Sequence, residues 1–147
     1  MVIPLLILLI VNVVNFGSFL YDWIAVANAA RAGAQYFVAG GVSVAGTTPP
    51  ALSAVTTLVT SDLAGLHNQS SIQVCVSTSN DKAASCNQGT PPANPPSTDT
   101  PEGSPAVTFV IGAVDVSYTY TPLVPSWMYI TLPPTTIVRR AAMRVLQ

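Results

Sequence analysis

The sequence predicts an α+β protein: a long N-terminal hydrophobic α-helix, then a small antiparallel β-sheet domain with one packed helix. Three observations support this prediction: an unbroken apolar run at the start, a short amphipathic segment after it, and three segments with strand-like composition. The 147 residues are enough for a helix plus one small domain. We expect residues 1–40 to form the helix and residues 41–147 to form the C-terminal domain.

The N-terminal run reads as one helix from Leu5 to about Tyr36, rich in Leu, Ile, Val and Ala. Its only proline is Pro4, near the start, and the glycines at 40–41 supply a stop signal. Such a helix would be about 50 Å long, so its first half could span a bilayer. Because it is apolar nearly all round, we expect lipid or copies of the same helix to cover it.

The same run does not read as a removable signal peptide. It is too long, has no basic residue before it, and continues unbroken into an alanine-rich half. The missing basic start predicts that a charged leader precedes Met1.

Four polar residues interrupt the apolar run at spacings of three, three and four, and therefore share one face: Asn12, Asn15, Ser18 and Asp22. Buried polar groups need partners. One interpretation is that they bond to copies of the same helix. The other is that they mark the side facing the domain or solvent, and the sequence does not separate the two.

Small residues follow at helical spacing, at Ala25, Ala29, Ala32 and Gly33, and would let another backbone approach closely. The helix propensity of alanine explains the same pattern in part. Arg31 stands nine residues after Asp22, too far for these two to pair within one helix.

The amphipathic segment "ALSAVTTLVTSDLAGLH" predicts a helix that is entered through Pro49 and Pro50, ends near His67 and lies on a sheet. Three segments predict antiparallel strands: "SIQVCVSTS", "PAVTFVIGAVDVSYTYTP" and "PTTIVRRAAMRVLQ". In the second strand, Gly112 is a candidate bulge or kink.

Two cysteines, Cys75 and Cys86, flank a polar segment and predict one disulfide, worth about 3 kcal/mol in the chain-entropy model. Two free thiols are the alternative. The Pro-rich loop 90–105 is either a solvated connector or a site for sugars or adhesion. The candidate glycosylation positions are Asn68, Ser97, Thr98 and Thr100.

Composition argues against several functions. Only 7% of residues are charged, the net charge is -1, and no basic patch is present, which excludes a nucleic-acid partner. His67 is the single histidine, and we find no phosphate loop, zinc-spaced cluster or close carboxylate pair. We therefore predict no enzyme activity, no cofactor and no bound metal.

The run "IPLLILLIVNVVNFGSFLYDWIAVANAARAGAQYFVAGG" resembles the N-terminus of TadE-like proteins, small pilin-class subunits of the tight-adherence secretion system. The shared elements are Pro4 before the aliphatic run, Asn15-Phe16-Gly17, Tyr21, and Asn28-Ala29-Ala30-Arg31 with Gly33 and Ala34. At the other end, "VDVSYTYTPLVP" and "AAMR" resemble the family's closing strand, turn and final Met-Arg.

The resemblance implies a structural subunit that is held in the inner membrane by its helix and then polymerises with itself into an extracellular pilus-like filament. Its other partners would be the pilus assembly machinery and a prepilin peptidase. The alternatives are a minor pseudopilin or single-pass accessory component of the secretion machine, and a surface adhesin that uses the Pro-rich loop. The expected subunit-interface residues are Asn12, Asn15, Asp22, Ala25, Ala29, Arg31 and Gly33.

Overall fold

The computed structural model describes residues 2–40, 50–79, 84–91, 111–124 and 135–144. Within these ranges the elements, in chain order, are α1 (Ile3–Gln35), a π-helical turn (Tyr36–Gly40), α2 (Leu52–Asp62), a 3-10 turn (Gln69–Ser71), β1 (Gln73–Thr78), β2 (Ser85–Cys86), β3 (Ile111–Tyr120) and β4 (Thr135–Arg144). The predicted α+β architecture is confirmed.

The sheet has the order β2-β1-β3-β4, and every neighbouring pair is antiparallel. The prediction of three strands was therefore wrong by one strand. The additional strand, β2, is only two residues long, and Cys86 in it lies directly opposite Cys75 of β1. The predicted disulfide joins these two residues and closes the β1–β2 pair covalently.

β3 is the central long strand and provides much of the core. Its alternating residues Val114, Val116, Tyr118 and Tyr120 are all buried, as their spacing predicts. Gly112 forms no bulge, because it pairs one to one with Thr78 of β1, at the end of that pairing, and with Met143 of β4. A Cβ at this position would lie 2.9 Å from Cδ1 of Phe37, so the glycine permits a close approach of the end of the long helix.

α2 is shorter than its pattern predicts, ending at Asp62 rather than near His67. The side chain of Gln69 accounts for the difference: its Nε2 donates hydrogen bonds to the carbonyl oxygens of Leu63, at 2.6 Å, and Leu66, at 2.8 Å. The chain after Asp62 therefore satisfies its carbonyls through a side chain instead of a further helical turn.

α1 consists of two segments with different surroundings. Residues 3–14, the projecting segment, contain no buried residue, and Ile3 is 74% exposed. Residues 15–39, the docked segment, pack along β3, β4 and α2. The buried residues of the docked segment are Asn15, Asp22, Val26, Ala29, Ala30, Gly33, Ala34, Phe37 and Val38.

Candidate functional site

The projecting segment presents large aliphatic side chains in all directions. Leu5 is 68% exposed, Leu9 57% and Val13 62%. In the described part of the chain, one helix, Ile3–Ala39, is long and apolar enough to cross a membrane, by length and composition. Only 6% of its apolar window is buried, unlike the core helix of a soluble protein. This segment therefore needs an apolar partner outside the domain.

The docked segment begins at Asn15, which the domain holds through its backbone and its side chain. The hydroxyl of Tyr120 donates to the Asn15 carbonyl oxygen at 2.9 Å and lies 2.8 Å from Oγ of Ser18. The Val124 amide donates to Oδ1 of Asn15 at 3.2 Å. Asn15 and Ser18 therefore face the chain's own domain.

Asp22, two turns further along α1, is also buried against the domain, beside the Tyr118 hydroxyl. Burial, together with the neighbouring Asp22 carboxylate, raises the pKa of Tyr118 above its usual value. Asn12 lies outside this contact, and its Nδ2 donates to the Leu8 carbonyl at 2.7 Å. For three of the four polar residues the structure supports the domain-facing interpretation. Contacts of Asn12, Asn15 and Asp22 with another copy stay a prediction.

The small residues of α1 allow α2 and β3 to pack closely against the helix. A Cβ at Gly33 would lie 2.8 Å from Cγ2 of Val59 and 3.3 Å from Cγ1 of Val114, so no larger residue fits without movement. Ala29 is 1% exposed, and Ala25 packs at the margin of the same core. These three positions thus have a packing role within the chain, and their predicted role between subunits stays a prediction.

Arg31 lies on the opposite flank of α1, in an open groove of about 490 Å³ between the helix and β4. In this groove the guanidinium carbon of Arg139 lies 3.5 Å from the centroid of the Trp23 ring, a cation–π contact. Neither Trp23 nor Arg139 was predicted from the sequence, because they are 116 positions apart and only the docking of α1 on β4 brings them together.

A second arginine of β4, Arg140, has a different role. Its Nε and Nη2 donate to the two carboxylate oxygens of Asp115 at 2.7 and 3.0 Å. The hydrogen bonds to Asp115 raise the pKa of Arg140. This bidentate pair joins β3 to β4 and leaves Arg140 neutralised.

The predicted modification sites divide into two groups. Asn68 is partly buried, and its Nδ2, the atom that would carry a glycan, donates to the Thr119 carbonyl at 3.2 Å. Glycosylation of Asn68 would require this hydrogen bond to break. Ser97, Thr98 and Thr100, like most of the loop 90–105, lie outside the described residues.

Within the described ranges, no three residues of the types His, Cys, Asp and Glu come together as metal ligands. His67 is exposed beside a shallow groove that Asp22 and Tyr21 also line. The geometry therefore provides surfaces for packing and for charge pairing: a projecting apolar helix, a basic groove and covalently closed strands.

The comparisons with known proteins bear on the helix. Residues 1–35 match the TadE-like protein family model. The resemblance predicted from the sequence is thus confirmed over the helix. The match covers 35 of the 147 residues and shows a likeness of the helix. No curated protein and no solved structure matches the chain.

The TadE-like match spans both segments of α1. Its motif residues alternate between surfaces: Phe16 and Tyr21 are 56% and 62% exposed, whereas Ala29 and Ala30 are each 1% exposed. The TadE-like pattern therefore includes one set of residues that packs the domain and another that the domain leaves open to a partner.

Proposed function

We propose that this protein is the structural subunit of an extracellular pilus-like filament and polymerises through its N-terminal helix. The observation that carries the proposal is the projecting segment, whose exposed aliphatic side chains form the continuous apolar surface described above. A monomer in water would not tolerate such a surface.

The same segment has two suitable environments, the lipid bilayer and a bundle of identical helices. Both are apolar, so the transfer of the helix from one to the other changes hydrophobic burial little. The subunit would therefore be anchored in the inner membrane before assembly and leave it during assembly. Side-chain packing between helices would then determine which neighbours are compatible.

In this proposal the chain performs no catalysis and holds no cofactor. Its partners are itself, the pilus assembly machinery, a prepilin peptidase and the inner membrane before assembly. Its final location is the cell surface. The domain, with its disulfide-closed strands, would be displayed on the outside of the filament.

The second candidate is a minor pseudopilin or single-pass accessory component of the same machine. The observation that favours it is the length of α1, since one apolar helix of this length is already a complete membrane anchor. The two candidates differ in stoichiometry: a major subunit is abundant in sheared filaments, whereas an accessory component stays in the membrane fraction.

The test is to shear cells that produce the protein, image the released material by cryo-electron microscopy, and determine its N-terminus by mass spectrometry. We expect a helical polymer of this chain. Bare cells with the protein confined to membranes would contradict the filament proposal and favour the accessory component.

A pair of variants separates packing from anchoring. Leu9→Ala combined with Leu6→Ala leaves an apolar helix that still inserts but loses large side chains, so filaments should become scarce while membrane insertion persists. Val138→Ala is the matched control, because Val138 is as exposed (56%) as Leu9 (57%) but lies on β4. Equal filament yields from the two variants would contradict polymerisation through α1.

A further inference from the structure

The two flanks of the docked segment have opposite charge. On the β4 flank, Arg31 and Arg139 line the groove beside Trp23, and among the described residues no carboxylate lines it. Nε of Arg139 is buried without a hydrogen-bond partner in the described part of the chain. Arg140, which also lines the groove, is neutralised by Asp115. Among the described residues, this flank therefore carries positive charge that no carboxylate matches.

The other flank carries a carboxylate. Asp62, at the end of α2, is exposed in a second groove that Tyr21, Asn28 and Ala32 of α1 also line. Of the carboxylates in the described ranges, Asp62 is the exposed one, because Asp22 and Asp115 are each only 6% exposed. This flank therefore has unmatched negative charge.

The two grooves follow the same stretch of the helix. Trp23 and Arg31 are eight residues apart and lie on one flank, while Tyr21 and Asn28 are seven apart and lie on the other. Ile24, 57% exposed, lines the second groove together with Tyr21 and Asn28. Two copies placed side by side would thus bring the acidic flank of one to the basic flank of the next at similar height.

We propose that the basic groove receives Asp62 of a second copy of this chain, which pairs with Arg31 beside Trp23 and Arg139. The inference rests on the proposed function, because polymerisation supplies the neighbouring copy. The contact joins two different surfaces, so it is heterologous, and contacts of this kind build an open helical fibre when the rotation between copies does not close a ring. Apolar neighbours such as Trp23 would exclude water and strengthen the pairing.

A phospholipid phosphate is a weaker fit for the groove. If Trp23 lies at the membrane interface, as Trp side chains prefer, Arg31 lies about 12 Å further along the helix. The headgroup layer is only about 5–8 Å thick on each side of the bilayer, so Arg31 would lie beyond it. A carboxylate at the same height on a neighbouring copy has no such mismatch.

Charge exchange tests the pairing. We expect Asp62→Arg and Arg31→Asp each to lower filament yield at least tenfold, and the double variant to recover to within about threefold of the unmodified chain. Ser53→Arg is the control, because it places the same arginine side chain at another exposed position of α2, nine residues away from Asp62. Thermal unfolding in detergent verifies that each variant folds. If both single variants fold but the double variant does not recover its filament yield, the inference is overturned.

Cross-linking tests the contact directly, in filaments or in membranes. In an Arg31→Lys variant, a carbodiimide activates the Asp62 carboxylate; the new amine attacks it, an amide bond forms, and the activated oxygen leaves with the urea. We expect a cross-linked peptide joining positions 31 and 62 of two chains. The Arg31→Lys, Asp62→Asn variant should lack it. No cross-link in the first variant would overturn the inference.

The two proposals can fail separately. A cross-link in membranes without any filament would support the contact and contradict the proposed function. Filaments without the cross-link would support the proposed function and contradict the contact. If Arg31→Asp, but not Asp62→Arg, reduces binding of the chain to vesicles of phosphatidylglycerol and leaves filaments unchanged, the groove binds lipid phosphate and the inference is wrong.

Discussion

The projecting and docked segments of α1 belong to one continuous helix and are both predominantly apolar, but their surroundings are opposite. Val13 is 62% exposed in the first, whereas Val26 is fully buried in the second. Hydrophobicity alone does not explain this difference. The docked segment uses alanine and glycine where a domain must approach, and the projecting segment uses leucine and isoleucine, which suit lipid or neighbouring helices.

The strongest test of this difference between the segments is to place one charge in each of them. Val26→Asp should destabilise the domain by about 4 kcal/mol or more, because it buries a carboxylate without a partner. Val13→Asp should leave unfolding in detergent unchanged and make membrane insertion less favourable by about 2.5–3.5 kcal/mol. Denaturation in detergent and the membrane-bound fraction measure the two effects. Equal destabilisation by both variants would show that the segments do not differ as described.

Substitutions at two glycines, one in the interior of the core and one at an open position, test the same difference. Gly33→Leu should cost about 1–3 kcal/mol, because its side chain would overlap Val59 and Val114. Gly17→Ala should stabilise the helix by about 0.5–1 kcal/mol, since a Cβ there meets nothing within 4 Å. Thermal unfolding of the two variants should shift in opposite directions. A stabilising Gly33→Leu would contradict the close approach of α2 to α1.

The junction between the segments depends on one hydroxyl. Tyr120→Phe removes the hydrogen bonds to Asn15 and Ser18 and should lower the free energy of unfolding by about 1–2 kcal/mol. Tyr36→Phe, at a residue that is 36% exposed, should have no measurable effect. Chemical denaturation compares the two. If Tyr120→Phe leaves the free energy of unfolding unchanged, the domain does not hold the start of the docked segment.

The smallest expected effect is a dependence of stability on alkaline pH. The pKa of Tyr118 is raised in the folded chain, so above about pH 10 the unfolded state loses this proton while the folded state keeps it. The stability that Tyr118 contributes is therefore fully present below about pH 10 and is lost as the pH rises through the pKa of Tyr118 in the folded chain. Tyr118→Phe should show a flatter pH profile in this range. Identical profiles for both proteins would contradict the assignment.

Patterns along the chain predicted the helix, the long strand and the disulfide, because local spacing and composition determine each of them. They did not predict β2, since two residues carry no periodicity. The end of α2 was misplaced because Gln69 binds the carbonyl oxygens of Leu63 and Leu66, just after the last helical residue. The orientation of Asn15 could not be predicted, because its partner Tyr120 is 105 residues away.

Asn15 and Asp22 lie seven residues apart, buried on the face of α1 that packs against the domain. An aliphatic helix has little rotational preference of its own, so these two polar residues, together with the small residues that pack against α2 and β3, determine how it is turned about its axis. To keep this orientation, the outer residues consequently need only remain large and aliphatic. Leucine, isoleucine and valine could replace one another there over evolutionary time, and new surface chemistries could arise on a subunit whose helix keeps the same orientation.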